Sequence, residues 1–146
     1  MAGGARCGAA CPNHLGVTRE SGPAMQTIHQ VASDYTALLR SGQFVDAGDR
    51  YWAFDVTSID PANPPGGLGT TVPGKAAVRG KCAARFGAAR IDEIGIDGPF
   101  VTGDQFALFL DLVIADPAGG NREPFTAIAL FTVRDGRIIE ERFFYE

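Results

Sequence analysis

The chain contains few histidines and cysteines, and this scarcity excludes several kinds of active site. Two histidines and three cysteines occur among 146 residues. Zinc sites are built mainly from these residue types, so we expect no metal centre, and a Ser-His-Asp triad is also disfavoured. Cys7, Cys11 and Cys82 are too unevenly spaced for a disulfide framework, so a reducing, cytoplasmic location is the default.

The chain also lacks a long apolar run and an excess of basic residues. No segment approaches the roughly 20 apolar residues of a membrane-spanning helix. Lys and Arg number 13 against 17 Asp and Glu, a net charge of −4, and the basic residues are scattered. We therefore expect a globular domain whose partners include neither nucleic acid nor membrane.

Residues 1–24 differ in composition from everything that follows. They are rich in Gly, Ala and Pro, have no hydrophobic periodicity, and lack the continuous apolar core of a secretion signal. We predict a disordered tail or leader over residues 1–24, with Met25 as an alternative start, and a single domain over residues 25–146.

Hydrophobic spacing in the first half of that domain predicts three helices. Apolar residues recur at helical spacing over 28–39, and further helices are predicted over 44–52 and 76–86. A short strand over 54–60 and a proline- and glycine-rich loop over 61–73 lie between the last two helices.

The second half of the domain is predicted to be strands. Two long strands over 91–101 and 105–115 precede a hairpin over 125–145, whose Asp135-Gly136 turn suits a two-residue type I′ connection. Helices followed by an antiparallel meander predict an α+β fold in which the helices cover one face of a curved sheet.

Acidic residues inside apolar strands are the first indication of chemistry. Asp111 shares a strand face with Phe109 and Val113, and Glu141 shares one with Phe143. A carboxyl group held against a hydrophobic wall becomes an acid or base that works near neutral pH. We expect Asp111 to point into a cavity; the alternative is a hydrated or arginine-paired position at the sheet rim. Glu140 and Glu141 point to opposite faces of their strand, so one of them is expected inside and the other outside.

The other face of the same strand is equally apolar. It carries Phe106, Leu108, Leu110, Leu112 and Ile114, and Phe144 on the last strand is expected to extend it. We expect this apolar surface to be covered by a second copy of the chain, and we therefore predict a homodimer.

Three further residues have structural and functional interpretations. Tyr35 lies within the apolar stripe of the first helix, where a core tyrosine is as well supported as a site residue. Asp60 precedes Pro61 at a strand end, which is often turn chemistry. Cys82 is interpreted as a small core residue, because the sequence supplies no base to activate it.

Element order and four segments resemble the nuclear transport factor 2-like superfamily, and most of all its SnoaL-like and ketosteroid-isomerase-like members. The segments are YTALLRSG, FDVTSIDP, GKAAVRGKCAARF and FTVRDGRIIEERFFY. The resemblance implies a cone in which a strongly bent antiparallel sheet packs on three N-terminal helices and encloses a mostly apolar pocket. Members include isomerases, polyketide cyclases, dehydratases and epoxide hydrolases, as well as proteins without catalysis.

The resemblance also implies site residues. Tyr35 matches the helix tyrosine of the isomerase pattern, and Asp60 matches its general-base Asp-Pro. Ile128 takes the place of the oxyanion-hole acid, so steroid isomerisation itself is not expected. The implied catalytic residues are Asp60, Asp111, Tyr35 and Glu141. The implied substrate-binding residues are Trp52, Cys82, Phe109, Val113, Ile128, Phe143 and Tyr145.

Two functions follow as hypotheses. The first is an isomerase, cyclase or lyase that needs no cofactor and acts on a small apolar carbonyl or polyketide-like molecule. The second is a non-catalytic ligand-binding or dimerisation module with the same fold. An open cavity with two carboxylates favours the first, and a cavity filled by Trp52, Phe109 and Phe143 favours the second.

Overall fold

The structure, a computed structural model, describes residues 25–62, 64, 67–87, 89–116, 118 and 120–146. The predicted tail over residues 1–24 lies outside this part. The helices are α1 (Ile28–Arg40), α2 (Phe44–Tyr51) and α3 (Lys75–Cys82), and a π-helical turn (Ala83–Gly87) continues α3. The strands are β1 (Trp52–Ile59), β2 (Thr71–Pro73), β3 (Arg90–Thr102), β4 (Gln105–Ala115), β5 (Arg122–Arg134) and β6 (Arg137–Phe144). None of the described helices is long and apolar enough to cross a membrane.

The strands form one sheet in the order β2-β1-β6-β5-β4-β3. β3 to β6 make the predicted antiparallel meander, and β2 lies within the segment predicted as a loop. The α+β prediction is confirmed, with one correction to the sheet. β1 pairs with β6 in parallel, so the sheet is mixed rather than purely antiparallel.

Helix α1 begins and ends where local chemistry dictates. The Thr27 hydroxyl accepts from the Gln30 backbone N–H at 3.2 Å, and the Gln30 side chain accepts from the Thr27 backbone N–H at 2.8 Å. This reciprocal capping satisfies two N–H groups that the first helical turn leaves open. Gly42, at φ +84°, ends the helix. The buried face between these ends carries Tyr35.

The β5–β6 hairpin has the predicted two-residue turn. Asp135 and Gly136 adopt φ values of 53° and 74°, as a type I′ connection requires. The register then shifts between Thr132 and Val133, which marks a β-bulge. A bulge changes which side chains face inward, and here both Ile138 and Glu141 are buried although they lie three residues apart.

Strand β4 is turned over relative to the sequence-based expectation. Phe106, Leu108, Leu110 and Leu112 are buried in the core, whereas Phe109 and Asp111 are exposed on the outer face. The Tyr35 ring on α1 packs at 6.1 Å from Phe106 and 5.1 Å from Phe131 of β5. The alternation of the sequence assigned the residues of β4 to two faces correctly. Because both faces are apolar, the sequence did not indicate which of them packs against the helices.

Candidate functional site

Buried polar side chains gather where the inner faces of β1 and β6 meet. Ser58 and Glu141 are partners across this parallel strand pair. Alternation from the buried Val56 places Ser58 and Asp60 on the same inner face. The parallel pairing therefore brings a hydroxyl and two carboxyl groups together beneath the helices.

Glu141 is held by two donors from β1. Trp52 Nε1 donates to Oε1 at 3.0 Å, and Ser58 Oγ donates to Oε2 at 2.7 Å. Burial raises the pKa of Glu141 above its usual value, although these donors and the nearby Lys81 ammonium oppose the rise. Glu141 is thus a rigidly oriented acid that keeps its proton to a higher pH than an exposed glutamate.

Asp60 is surrounded by cations and a phenol. It accepts from Lys81 Nζ, from Arg85 Nη2 at 3.1 Å and from the Tyr145 hydroxyl at 3.0 Å. The side chain is fully buried. The Lys81 ammonium and the Arg85 guanidinium both compensate the charge of the Asp60 carboxylate. Asp60 therefore holds these two side chains in place.

Lys81 and Arg85 were not predicted as site residues. They lie four residues apart on α3 and its π-helical continuation, and Lys81 Nζ also donates to Ser58 Oγ, which links the two acids. Their one signal in the sequence is spacing: Val78, Lys81 and Arg85 recur at helical intervals, so the two cations share a helix face with a valine, which is buried in the structure.

Aromatic rings cover the two cations. The Arg85 guanidinium lies 4.9 Å from the Phe125 ring centre and 5.5 Å from those of Phe143 and Tyr145, and Lys81 Nζ lies 5.4 Å from Phe143. Ring faces attract cations at these distances, and they also exclude water from the ion pairs.

A small cavity adjoins this cluster. Its volume is about 20 Å³, which is room for about one water molecule. Its apolar wall consists of Leu39, Phe44, Phe86, Leu110, Phe131 and Phe143. Its polar wall consists of Tyr35, Trp52, Lys81, Cys82, Arg85 and Glu141.

Tyr35 and Cys82 contribute neutral polar groups to the cavity. Burial raises the pKa of the Tyr35 hydroxyl well above its usual value, and the Glu141 charge adds to this rise. Burial also raises the pKa of the Cys82 thiol to about 12, so it stays protonated and is no nucleophile near pH 7. Within the described residues the Tyr35 hydroxyl has no hydrogen-bond partner.

The structure brings together part of the predicted site. Cavity-lining or adjoining positions are taken by Tyr35, Trp52, Asp60, Cys82, Glu141, Phe143 and Tyr145.

Four predicted residues lie elsewhere. Phe109 and Ile128 are 38% and 49% exposed on the outer face, where they face each other across β4 and β5. Asp111 is exposed beside Thr126, whose hydroxyl donates to it at 3.3 Å, and the half-buried Val113 follows on the same face. The expectation that these four point into the cavity was wrong, because β4 and β5 both present their other face to the helices.

Among the described residues, no group of three or more His, Cys, Asp or Glu side chains is placed to hold a metal ion. The charged groups of the site instead neutralise one another.

Comparison with known proteins assigns the chain to a family. The model of the SnoaL-like domain matches residues 26–145. A protein from Mesorhizobium loti, described as a proposed SnoaL-like polyketide cyclase, is 34% identical; the match covers 82% of this chain and 100% of that chain, with a TM-score of 0.71. No protein with curated annotation matches the chain.

More distant solved structures share the fold. A proposed SnoaL-like polyketide cyclase from Jannaschia sp. CCS1 is 22% identical, over 84% of this chain and 90% of that chain, with a TM-score of 0.62. A Catenulispora acidiphila protein with a ketosteroid isomerase-like fold, in complex with trimethylamine, is 17% identical, over 84% and 88%, with a TM-score of 0.57. The resemblance noted in the sequence is confirmed, and the chain belongs to the SnoaL-like domain family.

Proposed function

We propose that this chain binds a small, largely apolar carbonyl compound in the cavity and moves a proton on it, as an isomerase, cyclase or lyase. One observation carries the proposal: a buried carboxyl, Glu141, and a buried hydroxyl, Tyr35, line the same apolar cavity. The Mesorhizobium loti relative, described as a proposed polyketide cyclase, is consistent with it.

Glu141 would be the proton-transfer group. A general base is most effective when its pKa lies near the working pH, and burial moves the pKa of Glu141 in that direction. Its two donors, Trp52 and Ser58, fix the carboxyl plane, so a ligand in the cavity would meet it in one orientation.

Tyr35 would stabilise negative charge on the carbonyl oxygen. Its hydroxyl remains protonated across the neutral range, and its ring is clamped by edge contacts with Phe106 and Phe131. A preorganised donor aimed at a developing oxyanion typically contributes about 10²–10³ in rate.

A ligand larger than water needs a way in, and Arg85 occupies it. Arg85 lines both the cavity and a surface recess of about 360 Å³ that is bounded by Ala84, Ala89, Ile114 and Asn121. Displacement of the Arg85 side chain would join the two spaces and enlarge the site.

Deuterium exchange tests the proposal without knowledge of the substrate. We would incubate the protein with cyclohexanone and related small ketones in D₂O and follow exchange at the carbon next to the carbonyl by NMR. Glu141→Gln should lower any protein-catalysed exchange by at least about 100-fold, which is the usual range for loss of a general base. Tyr35→Phe should lower it by a similar factor.

Asp111→Asn is the matched control, since it removes an acid from the outer face. The control should exchange at the wild-type rate. Loss of exchange in Asp111→Asn, or full exchange in Glu141→Gln, would contradict the assignment.

A homodimer is a second proposal, and a specific surface supports it. Phe109, Ile128 and Phe144 lie side by side across β4, β5 and β6, and they are 38%, 49% and 49% exposed. Contiguous exposed apolar side chains commonly mark a protein interface. The water-sized cavity, whose walls include Trp52 and Phe143, also fits a dimerisation module without catalysis.

A further inference from the structure

The charged groups that line the cavity are mostly cationic. Among its described lining residues, Lys81 and Arg85 supply two positive charges and Glu141 is the one carboxyl group. The Lys81 and Arg85 side chains are only 2% and 6% exposed. Asp60, their shared partner, is not one of the lining residues, so a ligand would meet the two cations directly.

Both cations have donors to spare within the described residues. Lys81 Nζ has three N–H groups and bonds to Ser58 and Asp60. Arg85 uses Nη2 for Asp60 and Tyr145, while neither Nε nor Nη1 has an acceptor among the described residues. Buried N–H donors without acceptors are costly, so an acceptor that enters the cavity gains from pairing with them.

The net charge of the four buried ionisable side chains limits which ligands the cavity can bind. With both acids ionised, Lys81 and Arg85 compensate Asp60 and Glu141, and the sum is zero. A bound anion would add one negative charge in a site without bulk water, unless one acid takes up a proton. Asp60 has two cationic partners and a phenolic donor, whereas Glu141 has neutral donors and lines the cavity.

The titratable groups around Glu141 decide which acid takes up the proton. Tyr35 from α1 and Cys82 from α3 face it, and burial raises the pKa of both, so both stay neutral near pH 7. Lys81 from α3 and Asp60 at the end of β1 are paired with each other. Glu141 is therefore the group that can change charge when a ligand binds.

We infer that the cavity ligand carries an acidic oxygen, as a carboxylate or enolate, that pairs with Lys81 and Arg85 while Glu141 takes up one proton from solvent. The inference rests on the proposed function, because it concerns the ligand of the same cavity. It narrows the substrate class from carbonyl compounds in general to acidic ones, such as carboxylic acids and 1,3-dicarbonyl enols. Towards such a ligand Glu141 begins the reaction protonated and acts as the general acid, whereas towards a neutral ketone it begins ionised and acts as the base.

Formate and formamide make a matched pair of probes. Each has three heavy atoms, so each requires little enlargement of a cavity that holds about one water molecule, and they differ in charge. The reporter is the indole N–H signal of Trp52, the single tryptophan of the chain, which donates to Glu141. Sodium formate should shift this signal saturably in a ¹⁵N-correlated NMR titration, whereas formamide, or sodium chloride at the same ionic strength, should not.

The coupled proton gives the titration a pH dependence. Formate stays ionised between about pH 6 and pH 7.5, so its own charge does not change. Uptake of one proton makes its affinity rise by up to about tenfold for each unit that the pH falls. Calorimetry in buffers of different ionisation enthalpy should show the same proton uptake, and Glu141→Gln should abolish it.

Substitutions of Arg85 test where the anion binds. Arg85→Gln should weaken formate binding by at least about tenfold, and Arg85→Lys, which keeps the charge, should retain part of it. Arg79→Gln removes an exposed cation from the same helix and should change nothing. Equal binding of formate and formamide, no response to either probe, or unchanged binding in Arg85→Gln would overturn the inference.

The two proposals fail separately. Neutral ketones that exchange deuterium through Glu141 while formate does not bind would leave the proposed function intact and refute the anionic ligand. Formate binding without any deuterium exchange would support the anion site and leave a binding protein rather than an enzyme.

Discussion

The indole Nε1 of Trp52 donates a 3.0 Å hydrogen bond to Oε1 of Glu141. Trp52 is the first residue of β1 and directly follows helix α2, whereas Glu141 lies in the middle of β6. Orientation of the carboxyl group therefore depends on how α2 packs at the start of the sheet.

Gly48 tests this dependence. A Cβ at Gly48 would lie 2.2 Å from two atoms of the Trp52 ring, so the ring would have to move. We expect Gly48→Ala to lower the free energy of unfolding by about 1–3 kcal/mol, the usual cost of overpacking, and to shift the Trp52 indole signal. Urea denaturation and NMR measure the two effects.

Gly80→Ala is the control for this substitution. Gly80 is also helical, and a Cβ there meets no atom within 4 Å. Alanine should be neutral or stabilise the protein by up to about 1 kcal/mol through helix propensity. Equal effects of the two substitutions would show that the ring contact does not limit Gly48.

Removal of the Asp60 charge should be costly. Asp60→Asn keeps the size of the side chain but leaves Lys81 and Arg85 buried without their carboxylate. Breaking a buried pair in this way typically costs about 3–5 kcal/mol, and we expect that loss in urea denaturation. Asp49→Asn breaks the exposed pair with Arg79 and should cost less than about 1 kcal/mol. A loss for Asp60→Asn as small as that of the control would mean that the cluster is hydrated.

Glu141 should make the stability depend on pH. Its pKa in the folded state lies above the ordinary value of 4.5, so the folded protein holds this proton more tightly than the unfolded chain does. The resulting stabilisation is complete below about pH 4.5 and is lost as the pH rises through the folded-state pKa. Glu141→Gln does not titrate, so its stability relative to wild type should increase between about pH 4.5 and pH 8.

Urea denaturation across this range gives the comparison. Glu140→Gln is the control, since Glu140 is partly exposed and its neighbour Arg142 lies 3.8 Å away. The difference between Glu141→Gln and wild type should change with pH more than the difference between this control and wild type does. A constant difference for Glu141→Gln as well would contradict a raised pKa.

The apolar row on the outer face predicts a dimer that a charge can break. Ile128 lies at its centre, between Phe109 and Phe144. Ile128→Asp should convert a dimer into a monomer, as light scattering at micromolar concentration would show. Leu68→Asp places the same charge on an exposed loop leucine and should leave the mass unchanged. A monomeric wild-type protein would refute the proposed dimer.

Local signals in the sequence predicted much of the fold. The Asp135-Gly136 dipeptide identified the hairpin, and the apolar spacing of α1 placed Tyr35 inside. Each of these depends on residues close together in the chain, so a short stretch of sequence carries the whole signal.

The predictions that failed depend on contacts between distant residues. The two faces of β4 are both apolar, and only packing against α1 and β5 decides that Phe106 is inside and Asp111 outside. A polar residue amid apolar neighbours was interpreted as a buried acid, but Asp111 marks the solvent face. Lys81 was missed because a lysine alone in a helix usually indicates exposure, and its partners come from β1.

The parallel pairing of β1 with β6 has a consequence for biosynthesis. β6 follows the other strands that the structure describes, yet it lies in the interior of the sheet and supplies Glu141. A nascent polypeptide that has emerged only as far as β5 has a gap between its first and later strands, because β6 and Glu141 are still on the ribosome. At that stage the edges of β1 and β5 that later pair with β6 are open. A chain truncated before Arg137 would never fill the gap between β1 and β5.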